Sequence, residues 1–282
     1  MKQFRWRKGL SFYMKGMRKY LVCFKMSAGQ GFEYRSDFLL NIFATFIPIA
    51  VQLFLWKAVY DNSGAEVING RTYVEMIAYL LFAFFVTFFL TCSVANSVSS
   101  DIKDGNLNQY IIKPVNYFSY KLMNFYGEKV FITLAAVVLF GCSILILRGS
   151  CAYSISAGNI LWFIALLVVS LLLQFFLYLC MGLSSFWITD AWGIFFGGRY
   201  IINILSGSFL PLDVFGDRFI AVLKWLPFQY TTYFPISVLQ GKAETGQILQ
   251  GIAIELVWVA LLFGLSRLMW TRGQKKYIAN GG

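Results

Sequence analysis

A few polar side chains inside long apolar stretches are the first candidates for chemistry in this chain. They are Gln174, Arg199, Asn203 and Glu255. Ionisable groups in such stretches are costly to bury and mark functional sites by default. Arg199 and Glu255 are therefore candidates to line a substrate path or to pair with each other, although Arg199 is equally placed to reach water. For Gln174 and Asn203 the alternative is that their side chains only form hydrogen bonds between helices.

Enzymatic chemistry has little support in the residue types present. The chain has no His, which removes the commonest metal ligand and the usual proton carrier near neutral pH. Glu255 has no neighbouring carboxylate to complete a metal site, and no Ser or Cys has an evident base. No Gly-x-x-x-x-Gly-Lys-Ser/Thr loop occurs, so we expect no ATP site. We predict no catalytic residue, no metal site and no cofactor bound by this chain.

The composition predicts a membrane protein. Hydrophobic residues make up 59% of the 282 residues and charged residues only 13%, against about 25% in soluble domains. A soluble fold of this size has too little interior for so much apolar surface, so lipid must be part of the solvent. The net charge of +11 lies in segments that flank the apolar runs, which suits anionic lipid headgroups and argues against nucleic acid.

Six apolar segments are long enough to cross a hydrocarbon core of about 30 Å. They cover residues 38–59, 73–97, 128–147, 159–188, 191–210 and 247–270. Each must be helical, because lipid offers the backbone no hydrogen-bond partner. The fifth segment is the least regular, since it contains several Gly residues and Arg199. Pro48 should kink the first helix.

Most Lys and Arg residues fall on one side of these segments. They lie in the N-terminal segment, between residues 98 and 129, and in the tail. The positive-inside rule then predicts that both termini are cytoplasmic in a multi-pass protein of the cytoplasmic (inner) membrane. The predicted organisation is a cytoplasmic segment (1–37), a transmembrane domain (38–270) and a cytoplasmic tail (271–282).

The N-terminal segment contains an amphipathic stretch. Residues 10–28 place apolar side chains on one helical stripe with lysines opposite, which favours an elbow helix in the cytoplasmic interface. Such a helix either anchors the chain in lipid alone or also borders a cytoplasmic protein.

A polar island (residues 98–116) follows the second apolar segment. It interleaves Asp101, Lys103 and Asp104 with large apolar residues, contains Gly105, and ends at Lys113-Pro114. Glycine permits a sharp turn, and proline disfavours helix in the residue before it. The pattern favours a short amphipathic contact element, the alternative being an ordinary solvated loop.

The outer segment (residues 207–246) is too apolar for a free loop and too divided by Pro and Gly for another crossing. This composition favours short re-entrant or interfacial helices packed on the protein. Its Trp225, Tyr230 and Tyr233 suit the headgroup level.

These segments together resemble the permease subunits of ABC-2 type ABC transporters, the six-span exporter family. The resemblance covers nearly the whole chain, and it depends on the order of several short pieces around the six spans. The pieces are Glu33-Tyr34-Arg35, Asp101 to Leu107, Ile111 to Asn116, Ser206-Gly207, Pro211-Leu212, Leu226-Pro227-Phe228, Pro235 and Gly241-Lys242. The fold class implied is all-α: six transmembrane helices, an N-terminal elbow helix, a cytoplasmic coupling helix and short re-entrant outer helices before the last span.

The resemblance also implies partners and site residues. It implies two separate ABC ATPase subunits, which would carry ATP and Mg, and a second permease subunit that is the same chain or a related one. The coupling helix would comprise Asp101, Ile102, Lys103, Asp104, Gly105, Asn106 and Leu107. We expect its charges to set register on the ATPase and Ile102 and Leu107 to fill a cleft there.

The outer gate implied by the resemblance would comprise Gly207, Phe209, Pro211, Phe215, Phe219, Trp225, Pro227 and Phe228. A plain interfacial anchor is the alternative. The predicted function is export of an amphiphilic or apolar substrate (a drug, peptide or lipid-like molecule) by alternating access. The alternative class is a passive channel or other multi-pass protein without an ATPase.

Overall fold

The structure is a computed structural model that describes residues 18–29, 35–112, 115–147, 155–188 and 191–277. Most of these residues are helical, as predicted. The helices are α1 (18–29), α2 (Arg35–Ser63), α3 (Tyr73–Leu90), α4 (Val94–Lys103), α5 (Asn108–Ile112), α6 (Tyr117–Leu147), α7 (Ala157–Leu183), α8 (Trp192–Ser206), α9 (Asp217–Leu223), α10 (Tyr233–Leu239) and α11 (Thr245–Gln274). Short 3-10 helices occupy Ser184–Phe186, Leu212–Phe215 and Phe228–Tyr230.

One small hairpin departs from the predicted all-α class. Strand β1 (Val67–Ile68) pairs antiparallel with β2 (Arg71–Thr72) through the two-residue turn Asn69-Gly70. Both turn residues have positive φ, 49° and 71°. Asn-Gly is the preferred sequence for this tight turn, so the dipeptide was the available signal for the hairpin.

Three helical stretches in the described residues are long and apolar enough to cross a membrane. They are Tyr73–Lys103, Ala157–Phe186 and Thr245–Gln274, which contain or overlap the second, fourth and sixth predicted spans. Helices α2 and α6, of 29 and 31 residues, overlap the first and third. Helix α8 has 15 residues and is about 22 Å long, shorter than a full crossing. The count of six spans therefore stays a prediction.

The second predicted span is broken between α3 and α4. The Lys129 ammonium on α6 donates to the carbonyl of Phe89 at 2.7 Å and to that of Thr91. Ser93, which precedes α4, donates from its hydroxyl to Glu128 Oε2 at 2.9 Å. Carbonyls that lose their helical partners need other donors, and Lys129 supplies one to the last turn of α3, while Glu128 holds the residue before α4.

Helix α7 lies at the centre of the packing and contacts α11, α4 and α10. It approaches α4 closely at Gly182, where an added Cβ would lie 2.8 Å from Val98 Cβ and 2.9 Å from the Ala95 carbonyl oxygen. Small residues allow such close helix contacts in membranes. Because α4 carries the first half of the polar island, this contact joins the island directly to the core.

Candidate functional site

The polar island is a helix, a tight turn and a second short helix. Helix α4 ends at Lys103, Gly105 adopts a left-handed conformation with φ of 75°, and α5 begins at Asn108. The Leu107 N–H donates to the Asp101 carbonyl at 2.9 Å and closes the turn. No atom outside the adjacent residues lies within 4 Å of a Cβ added at Gly105, so the backbone conformation is what requires glycine there.

The Asp101 carboxylate attaches this turn to α6. It forms an ion pair with the Lys121 ammonium at 2.7 Å and accepts a hydrogen bond from the Tyr117 hydroxyl at 2.8 Å. Lys121 also donates to the Ser97 hydroxyl at 2.5 Å. Burial together with the Asp101 carboxylate raises the pKa of Tyr117 above its ordinary value, so the phenol stays a donor. The pair is nearly enclosed, which gives the turn a defined orientation.

The structure separates the seven predicted coupling residues into inward and outward groups. Ile102 is 8% exposed and Leu107 is fully buried in the chain's own core. Neither is available to fill a cleft on a partner in this conformation, in contrast to the sequence-based expectation. Asp104 and Asn106 are exposed, whereas Lys103 and Gly105 are half-buried. The surface offered to a partner is therefore polar, with apolar residues beneath it.

Two distant parts of the chain meet the polar island. The Asn116 N–H donates to the Tyr20 hydroxyl of α1 at 3.0 Å. The Tyr117 ring stacks on Trp270 of α11 with centroids 4.6 Å apart. Helix α1 also packs closely on α6, since an added Cβ at Gly127 would lie 2.6 Å from the Phe24 carbonyl oxygen. The island, α1 and the end of α11 are thus joined by direct contacts into one face, the island face.

A small central cavity brings together three of the four predicted substrate-path residues. Gln174, Arg199 and Asn203 line a cavity of about 80 Å³ between α3, α7, α8 and residues 231–232. The Arg199 guanidinium lies 5.9 Å from the centre of the Tyr178 ring, and Gln174 Oε1 is buried with no partner within the described residues. The cavity has room for a few waters and is well below the roughly 300 Å³ typical of small-molecule sites.

Glu255 is not among the residues that line this cavity. It is fully buried, its Oε1 accepts from the Ser170 hydroxyl at 2.8 Å, and its Oε2 has no partner in the described part of the chain. The Ser170 hydroxyl also lies 3.1 Å from the Tyr230 carbonyl. The pairing of Arg199 with Glu255, left open by the sequence, is not formed.

A buried ionic cluster lies beneath the outer segment, and sequence reasoning missed it. Arg71, 1% exposed, donates from Nη2 and Nε to Asp213 Oδ2 at 2.6 and 3.1 Å, and from Nη1 to Gln240 Oε1 at 3.2 Å. Its guanidinium also lies 5.0 Å from the centre of the Tyr79 ring. The Tyr233 hydroxyl donates to the other oxygen of Asp213. Hydrogen bonds between charged groups are stronger than those between neutral groups, so the cluster holds the hairpin against the outer segment.

The predicted gate residues occupy several positions. Gly207 ends α8 with φ of 81°, and its carbonyl accepts from the Tyr79 hydroxyl at 2.7 Å. Pro211 and Pro227 are buried and each precedes a 3-10 helix. The aromatic members do not form one plug within a chain. The ring centres of Phe215 and Phe219 lie 5.0 Å apart, and Phe209 stacks on Tyr200 of α8 with centres 6.5 Å apart. Phe228 packs on the core, and Trp225 is 76% exposed.

A protein-family model covers most of the chain. Residues 46–281 match the model described as ABC-2 family transporter protein. No curated protein and no solved structure matches the chain. The matched range includes the polar island, the central cavity and the outer segment, and it spans well over half of the sequence. The chain therefore belongs to the ABC-2 transporter family of integral membrane permeases.

Proposed function

We propose that this chain is the permease subunit of an ATP-driven exporter and that the island face binds an ABC ATPase and so serves as its coupling face. The observation that supports this best is the turn at Gly105, which presents Asp104 and Asn106 to solvent while the Asp101–Lys121 pair attaches it to α6. A polar, rigidly held surface suits a partner recognised by charge complementarity. ATP and Mg would lie on the ATPase.

The working complex would contain two permeases and two ATPases. The second permease is either another copy of this chain or a related one. Closure of the ATPases on ATP would move the turn, and the tight contact of α4 with α7 at Gly182 would transmit this movement to the spans. Both termini and the coupling face would then be cytoplasmic, in agreement with the distribution of Lys and Arg.

The cargo would be amphiphilic or apolar. Large apolar side chains dominate the lipid-facing and core surfaces, and charges that would bind a polar solute are few. The central cavity is too small for such a cargo, so the conformation described would be closed and the cavity would widen during alternating access. The outward direction of transport is what the resemblance to the exporter family implies.

The outer segment would close the exit. Pro211 and Pro227 of this segment are buried, and the Arg71–Asp213 ion pair attaches it to the hairpin. The segment is therefore held in a defined position. If Phe215 lies close to its symmetry mate, a Phe215→Cys variant should form a cross-link that blocks transport while assembly is unchanged. Full transport with complete cross-linking would instead favour a plain anchor.

Purification with neighbouring gene products tests the main proposal. We expect an ABC ATPase to copurify with the wild-type chain, and replacement of residues 101–107 by a Gly/Ser stretch to remove substrate-stimulated ATP hydrolysis. A control replacement of exposed Asp61, in the last turn of α2, and exposed Glu66, just before the hairpin, by Ser should leave both properties unchanged. A chain that never carries an ATPase would instead support the passive-channel class.

A further inference from the structure

A large cleft lies beside the outer segment and is separate from the central cavity. It has a volume of about 690 Å³ and is bounded by the tip of the β hairpin, by residues 220–243 and by the first turns of α11. Small-molecule sites usually measure about 300–1,000 Å³, so this cleft is large enough for a lipid headgroup and its glycerol, whereas the central cavity is not.

One wall of this cleft is positively charged. Lys224 and Lys242 both line it, and neither ammonium has an ion-pair partner in the described ranges. The cleft's carboxylate, Asp213, is already bound by Arg71 and Tyr233. Burial and the nearby Arg71 charge lower the pKa of Lys242, against the opposing effect of Asp213 and Glu75. A bound anion would offset this repulsion, so the wall favours a negatively charged group.

The remaining walls suit the rest of an amphiphile. The exposed Gln250 amide can donate to ester or phosphate oxygens, while Ile254 and Trp225 supply apolar surface. The exposed stripe of α11 continues from Ile254 to Val257 and Leu261, each 57% exposed, at helical spacing. A chain leaving the cleft along this stripe would lie on lipid-facing surface. Tryptophan is typical of the headgroup level.

We propose that this cleft binds an anionic phospholipid of the outer leaflet, with Lys224 and Lys242 on the phosphate and the acyl chains along Ile254, Val257 and Leu261. The outer-leaflet location rests on the orientation given under Proposed function. Binding itself does not require an ATPase or transport, so it can be measured on the permease alone. A permease that does not bind the lipid and a permease that does not bind an ATPase are therefore separate results.

Native mass spectrometry of the purified full-length permease in neutral detergent tests this site. We expect phosphatidylglycerol to be retained more strongly than phosphatidylcholine. The Lys224→Gln/Lys242→Gln variant should bind phosphatidylglycerol roughly 25-fold more weakly, since each lysine near a headgroup contributes about a fivefold effect and the two effects multiply. Lys224→Arg/Lys242→Arg keeps both positive charges and should bind as the wild type does. Lys275→Gln/Lys276→Gln is the matched control on the exposed tail.

Three results would overturn the proposal. Equal retention of phosphatidylcholine would show that the phosphatidylglycerol charge is not recognised. An equal loss of phosphatidylglycerol binding in the cleft variant and in the tail control would show that total charge, rather than this cleft, determines binding. Displacement of phosphatidylglycerol by millimolar inorganic phosphate would assign the lysines to a soluble anion instead of a lipid.

Discussion

The two members of the Arg71–Asp213 ion pair should contribute unequally to stability. Arg71 is 1% exposed, whereas the Asp213 side chain is 29% exposed. Asp213→Leu leaves a buried guanidinium with Gln240 as its remaining hydrogen-bond partner from the cluster. Arg71→Met leaves a carboxylate that still accepts from Tyr233 and reaches water. Uncompensated charge is most costly where water is excluded, so Asp213→Leu should be the more destabilising variant.

The expected loss of unfolding free energy depends on how exposed the unpaired residue is after its partner has been replaced. Breaking a buried pair by removing one partner costs about 3–5 kcal/mol, which is our estimate for Asp213→Leu. For Arg71→Met we expect about 1–3 kcal/mol, because partial exposure of Asp213 recovers part of the solvation. The double variant should cost less than the sum of the two, since neither charge is then left unpaired.

Titration with SDS, which unfolds the purified variants in lipid–detergent micelles, measures these differences in the free energy of unfolding. Arg218→Met is a matched control, because Arg218 is an exposed Arg of the same outer segment. It should change stability by less than about 0.5 kcal/mol. The reasoning is refuted if Arg71→Met is at least as destabilising as Asp213→Leu, or if the two effects are simply additive.

Other predictions concern the turn, the helix contact and the central cavity. Gly105→Val should lower substrate-stimulated ATP hydrolysis because a β-branched residue is strained at φ of 75°, and Gly105→Asn, which tolerates this conformation better, should retain most of it. Gly182→Val should reduce stability by about 1–3 kcal/mol, because the new side chain would overlap with Val98. Gly264→Ala, at an open helical position, should not reduce it, and SDS titration compares the two variants. Gln174→Leu should leave stability nearly unchanged, because its Oε1 is unpartnered among the described residues, but should alter transport if the cavity lies on the substrate path. If the Gln174→Leu variant transports a panel of amphiphilic compounds at wild-type rates, the cavity does not lie on the substrate path.

Much of the site could be anticipated residue by residue. The positions of Gly105 and Gly207 at turns followed from glycine's access to positive φ, and both adopt it. The shared environment of Gln174, Arg199 and Asn203 was foreseeable only as a possibility, because helical spacing shows which residues share a face but not which helices meet. The inward direction of Leu107 was missed, since an amphipathic segment beside a polar surface can bury its apolar side against its own chain or against a partner.

The sequence by itself determined that this chain is a helical membrane protein of the ABC-2 family. Its apolar runs require lipid, lipid requires helices, and the order of its short motifs carries the family resemblance. Only the tertiary structure decided that Asp101 pairs with Lys121 and that Arg71 pairs with Asp213, 142 positions away. Such pairs depend on which helices lie side by side. That choice is made by packing and by the need to satisfy every buried charge at once, which no local pattern records.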